Sequence, residues 1–183
     1  MFDEQELVIG CQQGNREAQR QLYEIYADYL YSVCFRYAGD SSTAEDWMHD
    51  GMLKILTQIG KFKWRGEGSL MAWVFSIQHN VIISNLRKDK VWKEALSIEE
   101  YIIHNDEPEP ETTQDIPREI LMQMIAELPT GYRTVFNLYV IDGLSHREIA
   151  QILGIQEKSS SKQLTLARRT LAARIRAWRK ENL

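Results

Sequence analysis

Between Gly60 and Ser69 the chain reads GKFKWRGEGS, which sets three cations and two aromatic rings in a glycine-rich run. Lys61, Lys63 and Arg65 suit phosphates, while Trp64 and Phe62 offer flat faces for an unstacked base, worth about 1–3 kcal/mol per base. Farther on, Asn80, Asn85, Arg87, Lys88 and Lys90 add amides for base edges and cations for a backbone. A second set stands in EKSSSKQLTLARR, residues 157–169. There Lys158 and Lys162 can donate to guanine O6 and N7, and Ser159, Ser161 and Thr165 can bind phosphates or either base type. Arg168 and Arg169 follow as phosphate contacts. The first set suits an unpaired strand and the second a paired one. Packing competes for some of these residues: Trp73 reads as core, Phe62 divides between core and base contact, and Arg174, Arg176, Arg179 and Lys180 read as a solvated helix end.

Other chemistries find little support. The chain has no G-x-S-x-G, P-loop, H-E-x-x-H or paired Cys/His set, and His49, His79, His104 and His146 lie in unrelated contexts. Glu45, Asp46, His49 and Asp50 form one helical cluster with no second ligand group, a poor metal site. Cys11 and Cys34 are far apart and read as buried or free thiols. The residues therefore call for no cofactor and no catalysis. Net charge is −4, which seems hostile to nucleic acid, but the distribution decides. Acids dominate 94–119, where Arg118 is the lone Lys or Arg; bases dominate 61–93 and 158–183. Two basic zones thus flank an acidic stretch, and only the zones can hold phosphates. No window approaches the roughly 18 apolar residues of a membrane span, and the acidic start MFDEQELVIGCQQGN lacks the apolar run of a signal peptide, so a cytoplasmic location is expected.

The elements that must carry these groups are helical. Leu22, Ile25, Tyr26, Tyr29, Leu30, Val33 and Tyr37 recur at steps of three and four, an apolar stripe that Gly39 and Asp40 end. Ser42 and Glu45 read as a capping box before a helix burying Met48, Met52, Ile55, Leu56 and Ile59. Gly60–Ser69 reads as a loop, and a third helix over about 69–88 turns Leu70, Trp73, Val74, Ile77 and Val81 to one side. Pro108 and Pro110 oppose a helix across the acidic stretch, which reads as a linker with Tyr101-Ile102-Ile103 as a local docking point. Helices resume at Pro117 and continue at about 130–141, 145–153 and 157–180. With no strand alternation, the expectation is an all-α chain: two small helical domains, 1–93 and 117–183, joined by an acidic linker over 94–116.

The segment Gly143–Leu171 has the marks of a helix-turn-helix. Ser145 with Glu148 makes a capping box, and Ile149, Ala150, Ile152 and Leu153 give the first helix a buried face. Gly154 stands where the turn needs a positive φ, and Ile155 plugs the turn into the core. The second helix presents the cations and hydroxyls named above, as a helix entering a major groove would. Leu164, Ala167, Leu171 and Ile175 are its core side.

At these residues the sequence resembles a known family. LPTGYRTVFNLYVIDGLSHREIAQILGI, Leu128–Ile155, is similar to the region-four domain of bacterial sigma factors. AEDWMHDGMLKILTQIGKF resembles region 2.2 of that family, and SLMAWVFSIQHNVIISNLRKDK resembles regions 2.3 and 2.4. Two helical domains about an acidic linker, without further domains, resemble the extracytoplasmic function group. The resemblance implies three partners: core RNA polymerase, promoter DNA and an inhibitory anti-sigma factor. It implies that Ala44–Phe62 docks on the polymerase, with Glu45, Asp46, Asp50 and Gln58 as polar contacts and Met52, Leu53 and Leu56 as apolar ones. It assigns the downstream, minus-ten element, held as single strand, to Lys61–Ser69 and the helix after it, and the upstream, minus-thirty-five duplex to the helix from Glu157. The acidic linker would fit a basic channel near the polymerase active site. Ser76 and His79 replace residues that are basic in many relatives, and Thr165 and Leu166 stand where basic residues or His are common, so promoter letters do not transfer. The rival reading is a helix-turn-helix regulator that binds duplex without polymerase; it accounts for 128–183 but leaves the Trp64 loop and residues 44–90 unexplained.

Overall fold

The computed structural model describes residues 3–88 and 112–182, and among these every regular element is helical. The chain divides into two compact units, Met1–Phe35 with Ser41–Asn85, and Arg36–Asp40 with Leu86–Leu183. Most of the acidic stretch, including Tyr101-Ile102-Ile103, lies outside the described residues, as does Lys90.

The first unit opens with a helix that the apolar spacing does not announce, α1, Glu4–Gln12. The Asp3 carboxylate starts it by accepting from the amides of Gln5 at 2.9 Å and Glu6 at 3.1 Å. Leu7, Val8 and Cys11 bury its inner face. Gly10 lets it press against α2, Arg16–Ala38: a Cβ there would lie 2.7 Å from that of Ala18. In α2, Leu22, Tyr26, Leu30 and Val33 are buried as the stripe requires, while Ile25 and Tyr29 on its edge are exposed. Tyr29 lies beside Phe75, ring centroids 5.6 Å apart. Helix α3, Ser41–Gln58, begins one residue before Ser42, so Ser42 sits inside its first turn instead of at the N-cap. It buries Ala44, Met48, Gly51, Met52 and Ile55. A short 3-10 turn, Ile59–Lys61, leads into the loop, and α4, Ser69–Lys88, returns with Leu70, Val74, Ile77, Val81 and Ile82 buried. Trp73 is half-buried against Phe62, ring centroids 4.9 Å apart, so both rings serve packing.

The second unit contains α5, Arg118–Ala126; α6, Thr130–Phe136, which continues as a π-turn through Asn137–Ile141; α7, His146–Leu153; and α8, Glu157–Asn182. Pro117 is the N-cap of α5, one residue before the expected first-turn position. Ile116, read as the last linker residue, is buried with Met124 and Ile175, so the end of the acidic stretch is packed into this unit. Arg133 is buried because its guanidinium serves as a cap. It donates to the carbonyls of Ala126 at 2.5 Å and Leu128 at 3.0 Å, and to those of Tyr37 at 2.9 Å and Ala38 at 2.7 Å in the same unit. Four carbonyl oxygens thus replace the water that the charge has lost.

Candidate nucleic-acid interface

In the second unit the helix-turn-helix forms as its local signals require. The Ser145 hydroxyl accepts from the Glu148 amide at 3.3 Å, and the Glu148 carboxylate accepts from the Ser145 amide at 2.8 Å. The Ser145 hydroxyl also donates to the Glu148 carboxylate at 2.7 Å, and this bond, with that from the Ser145 amide, holds the Glu148 carboxyl below its ordinary value. Gly154 ends α7 at φ +70°, a left-handed conformation that glycine adopts without a Cβ penalty. Ile149, Ala150 and Leu153 of α7 are buried, as are Ser160, Gln163, Leu164 and Ala167 of α8.

Packing that side of α8 inward leaves the other outward. Lys158 and Ser161 are exposed, and Lys162, Thr165 and Arg169 are half-buried. Ser161 and Lys162 stand three and four residues after Lys158, with Thr165 and Arg169 following Lys162 at steps of three and four, which keeps them on one stripe. The Thr165 hydroxyl donates to the Ser161 carbonyl at 3.2 Å. Ser159 and Arg168 flank that stripe and are half-buried. Arg168 places its guanidinium carbon 5.9 Å from the Tyr139 ring centroid, a cation–π contact. Tyr139 in turn stacks on His146, centroids 4.4 Å apart, and His146 Nδ1 lies 2.9 Å from the Ser160 hydroxyl. Burial and the Arg168 charge push the His146 imidazole below its usual value, with Glu157 opposing.

Two of the remaining cations of α8, Arg174 and Arg179, hold the unit together. Arg174 donates to the Met124 carbonyl at 2.8 Å, and Arg179 grips Asp115 with two bonds of 2.8 and 2.9 Å and reaches the Thr112 carbonyl. Their sequence reading as a solvated helix end is corrected on this point: they tie α8 to α5 and to the segment before it. Arg176 and Lys180 are exposed.

In the first unit the cations of the loop face outward. Lys61, Lys63 and Arg65 are exposed, and Trp64 is 36% exposed. The loop owes its shape to Gly66 at φ +113° and Gly68 at φ +79°. It is anchored by residues that the spacing of motifs does not single out. The Glu4 carboxylate accepts from the Trp64 indole at 3.1 Å, the Gly68 amide at 3.0 Å and the Leu70 amide at 3.2 Å. The Gln12 amide donates to the carbonyls of Ile59 at 3.1 Å and Phe62 at 2.8 Å. Asn80 is exposed on α4, whereas Asn85, five residues on and about 140° round the helix, is half-buried. The two amides therefore do not share a face. Arg87 and Lys88 are exposed in the last turn of α4, counted with the second unit, where Arg87 donates to the Ile152 carbonyl.

Along α3, Glu45, Asp46, Asp50 and Gln58 are exposed. Leu53 is 64% exposed, and Asp46, Asp50 and Leu53 fall on one side of the helix at steps of four and three. Leu56 is half-buried. Met52 is corrected: at 3% exposure it packs inside and supports this face from beneath.

Similarity to known proteins follows the same two units. The model described as Sigma-70 region 2 matches residues 22–91, and the one described as Sigma-70, region 4 matches 118–171; together they span about two thirds of the chain. The ECF RNA polymerase sigma factor SigW of Bacillus subtilis is 28% identical over 89% of this chain and 91% of its own. The ECF RNA polymerase sigma factor BldN of Streptomyces coelicolor is 27% identical over 91% of this chain, which spans 64% of BldN. A solved structure of the sigma factor RpoE of Bartonella quintana in complex with the anti-sigma factor NepR aligns over 86% of this chain and 96% of that one, at 21% identity and a TM-score of 0.49. Both sigma-70 regions are present in order, and the relatives match across both: the chain belongs to the sigma-70 family, in its extracytoplasmic function group of RNA polymerase sigma factors.

Proposed function

We propose that this chain docks on core RNA polymerase through the exposed side of α3 and divides promoter recognition between its two units. Residues 1–93 form the part that binds polymerase and holds the melted downstream element; residues 117–183 form the part that anchors the upstream duplex. Asp46, Asp50 and Leu53 supply an acid-flanked apolar contact for a basic partner surface. Lys158, Ser161, Lys162 and Thr165 read base edges, with Arg168 and Arg169 at phosphates. Lys61, Lys63, Trp64, Arg65 and Asn80 engage the separated strand, with Arg87 and Lys88 beyond them and Asn85 at its margin. Each contact is small, and joining them on one chain raises the effective concentration of the second once the first is made. The role is non-catalytic and exercised in the cytoplasm, and an anti-sigma factor holds the chain from polymerase until it is needed.

The observation that carries this reading is the outward stripe of α8, cationic and hydroxylic behind a capped α7 and a left-handed Gly154. Co-elution with core polymerase, followed by run-off transcription from genomic fragments, tests it. Discrete transcripts that require the added chain are expected. A chain that does not associate with core polymerase, under conditions where a control sigma factor does, overturns it.

A further inference from the structure

We propose that Glu4 is the positioning residue of the strand-capturing loop, holding Trp64 and the start of α4 in the geometry that receives an unpaired base. The inference rests on the reading of the Trp64 loop given above and adds a part of the chain, α1, that lies before the matched region-2 segment. One carboxylate joins three donors from three points of the loop: Oε1 accepts from the Trp64 indole and the Leu70 amide, and Oε2 from the Gly68 amide. Gly68 immediately precedes α4 and Leu70 lies in its first turn, a helix start where a carboxylate is favoured by charge as well as by hydrogen bonding. Gln12, at the other end of α1, fixes the near side of the loop through Ile59 and Phe62. The platform itself is firm, since Leu7, Val8 and Cys11 are buried and Gly10 lies against Ala18.

This arrangement solves a specific difficulty. A stacking ring must be exposed, yet an exposed ring in a glycine-rich loop loses rotamer freedom when a base lands on it. Tethering the indole N–H to Glu4 fixes the ring beforehand while its face stays accessible at 36% exposure.

Holoenzyme reconstituted with core polymerase, first checked by co-elution, would be titrated with a fluorescein-labelled single strand carrying the downstream element and with duplex carrying the upstream one. Glu4→Ala should weaken single-strand binding about tenfold and leave duplex binding unchanged. Glu4→Gln, which keeps one carbonyl acceptor, should recover part of the loss and covers the case in which Glu4→Ala fails to fold. Glu4→Ala combined with Trp64→Ala should be no weaker than Trp64→Ala alone. Incorporated 5-fluorotryptophan gives the independent readout, because the Trp64 resonance should shift and broaden in Glu4→Ala. Wild-type single-strand affinity in the Glu4 variants, alongside a loss in Trp64→Ala, overturns the role of Glu4 and spares the loop. Wild-type affinity in both overturns the reading of the loop as well. Equal losses on single strand and duplex overturn the positioning role in favour of general stability.

Discussion

The Gln78 amide donates to the Cys34 thiol, Nε2 to Sγ at 2.9 Å, across the interior of the first unit, and the same amide reaches the Trp47 carbonyl at 2.9 Å. A fully buried amide thereby ties α4 to both α2 and α3. Room for it comes from Gly51, whose missing Cβ would lie 2.6 Å from Gln78 Cδ and closer still to its oxygen. Gly51→Ala should therefore destabilise the chain although it favours the helix. Helix propensity would contribute about 1 kcal/mol in its favour. Overpacking costs about 1–3 kcal/mol, and displacing Gln78 weakens two buried bonds worth about 1 kcal/mol each. Urea denaturation should show a net loss of about 1–3 kcal/mol, while Gly60→Ala, with open space around it, stays near wild type. A Gly51→Ala chain as stable as wild type would contradict the tight fit.

Burial also governs the thiol. It pushes Cys34 from an ordinary 9.0 up to about 12, with the Gln78 bond pulling the other way. The sign follows directly. Between these values the unfolded chain has released the proton and the folded one has kept it, so stability is full below pH 9 and declines as pH rises toward 12. Cys34→Ala should flatten the fall of the urea midpoint between pH 8 and about pH 10 relative to wild type. In the native protein at pH 8, Cys34 should resist a thiol reagent that labels it quickly in urea. Fast native labelling at this position would show that the interior is not closed.

The capping box at α7 gives a third test. Ser145→Ala removes the hydroxyl that accepts from the Glu148 amide and should cost about 1 kcal/mol. The same hydroxyl also donates to the Glu148 carboxylate at 2.7 Å and helps hold that carboxyl below its usual value, so this second contribution is present at neutral pH and lost as pH falls through the carboxylate range. The difference in stability between wild type and Ser145→Ala should accordingly shrink on acidification. Thermal unfolding at pH 7 and pH 4 measures it, and a constant difference would refute the linkage.

How much of this is legible in the sequence depends on how local each signal is. Ser145, Glu148 and Gly154 act within a few residues of themselves, and the structure forms the cap and the left-handed turn where their spacing expects them. The buried sides of α2, α4 and α8 follow from period alone, though the stripe of α2 is narrower than its spacing suggests, leaving Ile25 and Tyr29 exposed. Helix α1 escapes because it is short and its partners are remote: Glu4 and Trp64 are sixty residues apart. Arg174 and Arg179 look like any basic helix end until Met124 and Asp115 are brought beside them. Met52 shows the opposite error: its period already put it on the buried side of α3, the resemblance implied a docking contact, and the packing sides with the period.

The division of labour between the two cationic sets can be tested by salt as well as by affinity. Lys162 lies on the outward stripe of α8, and Trp64 on the loop of the other unit. Lys162→Ala should weaken binding of upstream duplex about tenfold, as expected for a contact to a base edge worth about 1–3 kcal/mol. Trp64→Ala should leave that binding intact and impair opening, seen as lost permanganate reactivity of downstream thymines in the holoenzyme complex. Arg169→Ala, at the position proposed to meet a phosphate, should weaken all duplexes alike and reduce the log-affinity against log-salt slope by about 0.9. Lys162→Ala should instead lose its effect on duplexes that lack the upstream element. Equal losses of duplex affinity in Lys162→Ala and Trp64→Ala would mean that the two sets do not act on paired and unpaired DNA separately.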